Sequence, residues 1–177
     1  LTLFSIIVYS IIYSVYLKNL TSQNIVIGGI AGAMPPLLGW TAITNGVSEL
    51  PLLLFLIIFL WTPPHFWALA IHRKDEYARA GIPMMPVVKG IEYTKIQIVL
   101  YSILLMLVSL LLFATGYFGY LYLFGASLLG GIFIQKSWKL KNSNGADYSM
   151  NLFLYSIVYL TLIFLLMVAD RAVIAYV

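Results

Sequence analysis

The sequence contains no cysteine, which excludes disulfides, thiolate nucleophiles and cysteine-ligated metal sites. It is also poor in charge: Asp, Glu, Lys and Arg make up 9% of its 177 residues, whereas about 25% is usual for a soluble domain. Because 62% of the residues are hydrophobic, we expect an integral membrane protein. Neither an initiator Met nor a basic leader precedes Leu1, so we expect a piece of a longer protein, truncated at its N-terminus.

Long apolar runs recur along the sequence and approach the ~20 residues that a membrane-spanning helix needs. They predict an all-α, polytopic transmembrane helical bundle of about six spans, forming a single domain over residues 1–177. The predicted spans are about 1–17, 24–43, 50–71, 94–115, 117–135 and 150–169. The second and third contain a Pro-Pro pair. In the second, Gly28 and Gly32 form a small-xxx-small pair that predicts close packing with another helix.

If these spans cross a membrane in alternating directions, the basic residues are distributed unequally between its two sides. One side has a single basic residue, Arg171. The other side collects Lys18, Arg73, Lys74, Arg79, Lys89, Lys95, Lys136, Lys139 and Lys141. Since cytoplasmic loops gather Lys and Arg, we expect the crowded side to be cytoplasmic, with its two longer connections at about 72–93 and 136–149. The compact connections favour a bacterial plasma (inner) membrane over a mitochondrial one.

The third span leads into the stretch WTPPHFWALAIHRKDEY, which begins at Trp61. A Thr before two prolines can cap a first helical turn, so Thr62 and the Pro-Pro pair predict a break and a restarted helix. At 100° per residue the new helix would place two imidazoles, a carboxylate and a guanidinium on one stripe. The stripe consists of His65, Leu69, His72, Glu76 and Arg79.

Two interpretations of this stripe remain open from the residues alone. An ionisable side chain in a span usually faces protein or a water-filled cavity, and His65 could contact a metal-bearing ligand or carry a proton. It could equally be a structural histidine bonded to a carbonyl that the prolines free. Asp75, Glu76 and Arg79 resemble the rim of a magnesium diphosphate site, or a solvated loop with surface ion pairs. Lys18 is either a phosphate contact or a snorkelling interfacial anchor.

Four stretches together resemble the protohaem IX farnesyltransferases, also called haem O synthases, within the UbiA-type intramembrane prenyltransferases. They are YLK ending at Lys18, NIVIGGIAGAMPPLLGW from Asn24, WTPPHFWALAIHRKDEY, and AGIPMMPVV from Ala80. The resemblance covers nearly the whole chain. It is specific, because PPHFWALA and AGIPMMPVV carry many unusual residues at fixed spacing.

The resemblance implies a fold of nine transmembrane helices around a central cavity, of which this chain resembles the last six. The implied reaction joins the farnesyl group of farnesyl diphosphate to a vinyl group of haem B, adds water as a hydroxyl and releases diphosphate. Mg²⁺ is the expected cofactor, and haem B is a substrate. The lipid bilayer and a haem A synthase are the expected partners, and no nucleic acid is expected.

The matching motif positions imply roles for particular residues. Glu76 and Asp75 are assigned to metal binding and catalysis, and Lys18 to catalysis. His65 is assigned to haem. The remaining substrate-binding assignments are His72, Arg73, Arg79 and Asn24.

Two departures from the family pattern limit the resemblance. Asn19 stands where the family usually has Arg after the lysine. The family's first acidic motif, Asn-x-x-x-Asp-x-x-x-Asp, has no equivalent in the printed sequence. We therefore expect these residues alone to hold half of the metal site and to be inactive by themselves.

Two alternative functions remain. The first is a quinone-pathway aromatic prenyltransferase of the same fold, against which His65 argues because that group carries Asp near this position. The second is a membrane transporter, since Pro-broken spans with polar groups at the break build many substrate sites. Against a transporter, the charged residues cluster at one membrane face rather than at the midplane.

Overall fold

The structure, a computed structural model, describes residues 21–143 and 146–176. These residues form eight helices and no strands. The helices are α1 (Asn24–Gly32), α2 (Pro35–Thr44), α3 (Glu49–His72), α4 (Lys74–Arg79), α5 (Met85–Val88), α6 (Ile91–Ala114), α7 (Tyr120–Lys141) and α8 (Ala146–Tyr176). The prediction of an all-α fold is confirmed. The segment predicted at 1–17, and the candidate residue Lys18, lie outside the described residues.

Four helical stretches of the described chain are long and apolar enough to cross a membrane. They are Asn24–Thr44, Glu49–His72, Ile91–Ala114 and Asp147–Ala175. Helix α7 lies where the fifth span was predicted but is not among the four, because its last turns carry polar and basic residues. A polytopic helical membrane protein is thus confirmed, whereas six spans stay a prediction.

The core is a ring of four helices. Helix α3 packs against α6, α6 against α7, α7 against α8, and α8 again against α3. Ile57, Leu105, Phe133 and Tyr159 contribute one fully buried side chain from each of these helices. Helices α1 and α2 pack against α3 outside the ring. Large apolar side chains such as Leu165 remain exposed on the outer faces, as a lipid-facing surface requires.

The two Pro-Pro pairs behave differently. Pro35 begins α2, where a missing N–H costs nothing, so the predicted interruption of the second span is confirmed. The predicted break at Pro63 is wrong, because α3 runs through it without interruption. Ending a helix inside an apolar layer would leave many backbone groups unsatisfied, whereas continuing loses only the bonds that the prolines cannot donate. Thr62 caps no new helix; its hydroxyl donates to the Ile58 carbonyl at 2.7 Å.

Residues 136–149, predicted as a polar connection, are helical over most of their described length, because α7 continues to Lys141 and α8 begins at Ala146. Within the predicted connection at 72–93, the chain forms the short helices α4 and α5 and the start of α6. Basic side chains near helix ends can extend toward the headgroups while the backbone stays helical. Low hydropathy therefore marks the membrane surface better than it marks the end of a helix.

Polar contacts tie the bundle together at both ends. At one end the buried Lys95 ammonium donates to the Ser143 carbonyl at 2.6 Å and pairs with Glu92 at 2.8 Å. At the other end the Asp170 carboxylate, 2% exposed, accepts the backbone N–H groups of Gly119 and Tyr122 at 2.6 and 3.0 Å, which caps α7. The first end holds every described Lys and Arg except Arg171, in agreement with the predicted asymmetry.

Candidate functional site

A cavity of about 400 Å³ lies between α1 and α3. Its walls are mainly apolar and include two aromatic side chains from one face of α3, Trp61 and Phe66. The complete lining is Ile25, Gly28, Gly29, Gly32, Ile58, Trp61, Thr62 and Phe66. The volume falls within the range of small-molecule sites, and aromatic walls suit an apolar chain or a delocalised cation.

Glycines of α1 leave room for this cavity. A Cβ on Gly29 would lie 3.2 Å from the Thr62 Cγ2 atom, so this glycine permits the close approach of α1 to α3. The close packing predicted for Gly28 and Gly32 stays a prediction. A Cβ on Gly32 would meet no described atom within 4 Å, and both glycines line the cavity.

His65 lies behind the aromatic wall of the cavity and is 7% exposed. Its ring is stacked between Trp61 and Phe153, at centroid distances of 4.2 and 4.6 Å, and meets Phe66 edge-on at 4.9 Å. Its Nδ1 atom lies 2.6 Å from the Ser156 hydroxyl of α8. The histidine is thus bonded across the α3–α8 interface and not to a carbonyl that the prolines free.

The hydrogen bonds of Ser156 determine which nitrogen of His65 carries the proton. The Ser156 hydroxyl donates its one hydrogen to the Phe153 carbonyl at 2.6 Å. It must therefore accept from His65, whose Nδ1 is the donor. This leaves the Nε2 lone pair as an acceptor, with no hydrogen-bond partner among the described residues. Trp61 supports the arrangement, because its indole N–H donates to the Ser156 carbonyl at 2.7 Å.

The predicted stripe from His65 to Arg79 does not lie on one helix. Helix α3 ends at His72, Arg73 has non-helical angles (φ −105°, ψ 28°), and α4 begins at Lys74. The prediction of one continuous helical face was wrong because the helix is interrupted at Arg73. His65 is buried in the bundle, whereas Glu76 and Arg79 of α4 are exposed at the charged end.

Helix α4 presents acidic and basic side chains together. The Arg73 guanidinium lies 3.7 Å from the Glu76 carboxylate, with 53% and 60% of these side chains exposed. Asp75 and Arg79 are exposed on the same short helix. No group of three or more His, Asp or Glu side chains that could hold a metal occurs in residues 21–143 and 146–176. Two carboxylates with substrate phosphates are nevertheless a common Mg²⁺ environment.

Asn24 and His72 occupy different surroundings. Asn24, the first residue of α1, is 1% exposed, and its amide nitrogen lies 3.7 Å from the Met84 sulfur in the connection between α4 and α5. It therefore joins the start of α1 to the charged end. His72 ends α3 and is exposed. The structure thus brings Arg73 and Glu76 together and places His65 deeper in the bundle.

Sequence reasoning missed the partners of His65. Ser156 and Phe153 lie in the last predicted span, and Ser156 is 91 residues from His65. A single serine in an apolar helix gives no local indication of an interhelical bond. Buried Asp170 was missed as well, although a carboxylate at the end of an apolar run predicts a specific partner.

The sequence model of the UbiA prenyltransferase family matches residues 1–158. The chain is 55% identical over 173 residues to "Protoheme IX farnesyltransferase" of Marinobacter nauticus, covering 98% of this chain and 57% of that relative. It is 54% identical over 171 residues to "Protoheme IX farnesyltransferase 2" of Pseudoalteromonas atlantica, covering 97% and 56%. No solved structure matches it.

The chain therefore spans little more than half the length of these curated relatives. The family match, in contrast, extends from the first residue into α8. It covers both α1 and α3, which line the cavity, and the charged helix α4. On this match, the chain belongs to the UbiA prenyltransferase family.

Proposed function

We propose that this chain forms part of an enzyme that transfers the farnesyl group of farnesyl diphosphate to a vinyl group of haem B, giving haem O and diphosphate. The observation that carries the proposal is one helix, α3, with an aromatic-walled cavity at its middle and the acidic and basic residues of α4 beyond its end. Farnesyl diphosphate matches this arrangement, because its apolar hydrocarbon chain suits the cavity and its anionic head suits the charged residues. The names of the curated relatives support the same reaction.

The charged end is the proposed diphosphate site. Arg73 and Arg79 supply guanidinium groups for phosphate oxygens, and Asp75 and Glu76 supply the carboxylates. Because the Arg73–Glu76 pair is exposed and loose at 3.7 Å, either partner can exchange it for a ligand. Mg²⁺, when bound by these carboxylates, would neutralise the leaving diphosphate. Lys18 remains a proposed contributor.

The reaction needs the C–O bond between farnesyl and diphosphate to break, with the electron pair leaving on the diphosphate. The resulting allylic cation forms a C–C bond with a vinyl carbon of haem B, and water adds to the other vinyl carbon with loss of a proton. The faces of Trp61 and Phe66 would stabilise the cation, and the apolar cavity would exclude water from it. His65 is proposed to contact haem through its Nε2 lone pair.

Asn24 and His72 complete the proposed substrate contacts. Asn24 is buried where α1 meets the loop before α5, so it could orient the diphosphate-bearing end of the substrate. His72, exposed at the end of α3, lies between the buried and charged parts of the site. A haem A synthase that consumes the product stays a prediction.

We also propose that the charged end faces the cytoplasm of a bacterial inner membrane, since Lys and Arg collect on that side. The chain has no cysteine, so a single Lys89→Cys substitution gives one reactive group for impermeant labelling. Labelling in inside-out vesicles, and not in intact cells, is expected. The reverse result would contradict this orientation.

Haem O formation by the complete product of the encoding gene tests the proposed activity. The purified protein receives haem B, farnesyl diphosphate and Mg²⁺, and the products are separated by chromatography and weighed by mass spectrometry. A parallel chimera carries this chain in place of the matching 173 residues of the Marinobacter nauticus relative. Haem O from either protein supports the proposal. Prenylated 4-hydroxybenzoate without haem O would indicate the quinone-pathway alternative, and no product from either protein would contradict prenyl transfer.

A further inference from the structure

A groove lies between the last turns of α7 and the first turns of α8, apart from the cavity on α3. Its inner part has a volume of about 160 Å³. The lining of the inner part is Gln135, Lys136, Lys139, Tyr148 and Asn151. The outer part is lined by Trp138, Lys139, Asn142, Ser143 and Tyr148. Because the two parts share Lys139 and Tyr148, they form one continuous groove.

Two lysines beside the groove are held in place. The Lys136 ammonium donates to the Asn151 side-chain oxygen and lies 5.2 Å from the centre of the Tyr155 ring. The Lys141 ammonium lies 4.5 Å from the Trp138 ring. Cation–π contacts of this kind fix an ammonium without neutralising it.

Positive charge in the groove is not balanced by neighbouring acids. Within the described part of the chain, no carboxylate lies within 4 Å of Lys136, Lys139 or Lys141. Asp147, in the first turn of α8, is exposed and forms no ion pair with these lysines among the described residues. The negative end of the α7 dipole accounts for lysines in its last turn, Lys139 and Lys141. It does not account for Lys136, which lies earlier and is held by side chains of α8.

The surroundings of the groove indicate an amphiphilic ligand. Trp138 and Tyr148 flank it and are about half exposed, as aromatic side chains at a membrane surface commonly are. Farther along the same two helices, Leu128 and Leu154 are exposed apolar side chains that can contact acyl chains. Basic pockets between helices at a membrane surface are suited to anionic headgroups.

We propose that this groove binds the headgroup of an anionic membrane phospholipid. The phosphodiester accepts hydrogen bonds from the Lys136 and Lys139 ammonium groups. The Tyr148 hydroxyl and the Asn151 amide N–H₂ are further donors, since Lys136 occupies the oxygen of that amide. The acyl chains lie along the exposed apolar faces of α7 and α8. This site is independent of the proposed prenyl transfer.

Titration of the purified chain in detergent with phosphatidylglycerol, monitored by native mass spectrometry, tests this site. Phosphatidylcholine of the same acyl chains is the zwitterionic comparison, and inorganic phosphate is added as a competitor. Phosphatidylglycerol should bind at least about tenfold more tightly than phosphatidylcholine, because each lysine near an anionic surface contributes roughly fivefold. Equal affinity for the two lipids would overturn the proposal. Displacement of the lipid by millimolar phosphate would identify a free anion as the ligand instead.

Matched charge variants locate the site. Lys136→Gln with Lys139→Gln should remove most of the preference for phosphatidylglycerol. Lys74→Gln with Lys89→Gln removes the same charge elsewhere at this end and should retain it. Asn151→Asp, which keeps the side-chain size and gives Lys136 a carboxylate partner, should also abolish it. An equal loss in both double variants, or an unchanged preference in Asn151→Asp, would show that general surface charge and not this groove attracts the lipid.

Discussion

The two ends of the segment 61–79 hold their polar side chains in opposite ways. At the inner end, His65 is 7% exposed, its ring lies between two aromatic rings, and its Nδ1 donates to Ser156 at 2.6 Å. At the outer end, Glu76 is 60% exposed and its only ion pair among the described residues is the 3.7 Å contact with Arg73.

This difference follows from the two environments. An apolar interior offers no water, so a polar group there must find its partner within the folded chain. The charged end lies at the membrane surface, where water can satisfy a carboxylate until a ligand replaces it. We therefore expect substitutions at the inner end to reduce stability and substitutions at the outer end to reduce activity alone.

The largest effect is expected for Glu76→Ala. If Glu76 holds the metal diphosphate, its loss should lower the rate of haem O formation about 10³-fold, the cost of removing one group that stabilises a developing charge. Because the side chain is mostly exposed, the free energy of unfolding should change by less than about 0.5 kcal/mol. The assay is haem O formation by the complete gene product, beside equilibrium unfolding in micelles.

Asp147→Ala is the matched control for this prediction. Asp147 is also an exposed carboxylate in the first turn of a helix at the same end of the bundle. It should retain full activity. Full activity in Glu76→Ala would disprove the metal assignment, and an equal loss in both variants would indicate a general effect of charge.

The second effect concerns the inner end. His65→Ala removes a ring that contacts Trp61, Phe66 and Phe153 and deletes the bond to Ser156, so it should lower the free energy of unfolding by about 3 kcal/mol. His72→Ala removes an exposed imidazole at the end of the same helix and should change it by less than about 0.5 kcal/mol. Similar losses of unfolding free energy in His65→Ala and His72→Ala would contradict the contrast between the buried and the exposed end.

The same His65→Ala variant also tests the proposed haem contact. KM for haem B should rise more than KM for farnesyl diphosphate, because the proposed diphosphate contacts lie at the charged end and not beside His65. A rise confined to farnesyl diphosphate would assign His65 to the other substrate.

The sequence predicted the elements well and their contacts poorly. Long apolar runs located α3, α6 and α8, since hydrophobicity along the chain is a local property. The continuous passage of α3 through Pro63 was missed because it depends on the cost of ending a helix within an apolar layer. The interruption of the helix at Arg73 was missed because no proline or glycine marks it.

For the candidate site, motif spacing identified His65 and Glu76 as distinctive but could not separate a buried role from an exposed one. That distinction depends on α8, which approaches His65 from 91 residues away. The asymmetry of Lys and Arg was predictable, because it requires only the number and order of the helices.

A smaller effect is expected for Ser156→Ala, which should lower the free energy of unfolding by about 1 kcal/mol, the usual size of an interhelical bond in a membrane. It should also change the His65 tautomer. The 177 residues contain only two histidines, so His72→Gln leaves His65 as the single one. In that background, ¹⁵N NMR should show a protonated Nδ1 and an unprotonated Nε2 when Ser156 is present, and a mixture of tautomers in Ser156→Ala.

Ser109→Ala is the control for this spectrum. The Ser109 hydroxyl of α6 is hydrogen-bonded to the Tyr159 hydroxyl of α8, so its loss also removes one interhelical bond but not the partner of His65. The tautomer should stay unchanged. A protonated Nε2 in the parent spectrum would contradict the assignment, whatever the reaction of the enzyme proves to be.

The smallest effect is expected for Arg73→Gln, which removes the only described ion pair of α4. Both side chains are more than half exposed and 3.7 Å apart, so the pair should contribute less than about 0.5 kcal/mol to the free energy of unfolding. Equilibrium unfolding of the parent and of Arg73→Gln, at low and at high salt, measures the contribution of this pair. A larger loss would mean that the outer end is fixed by its own contacts in the absence of substrate, and the contrast between the two ends would fail. A raised KM for farnesyl diphosphate with unchanged stability would instead show that Arg73 binds the phosphate oxygens of the substrate and does not stabilise the fold.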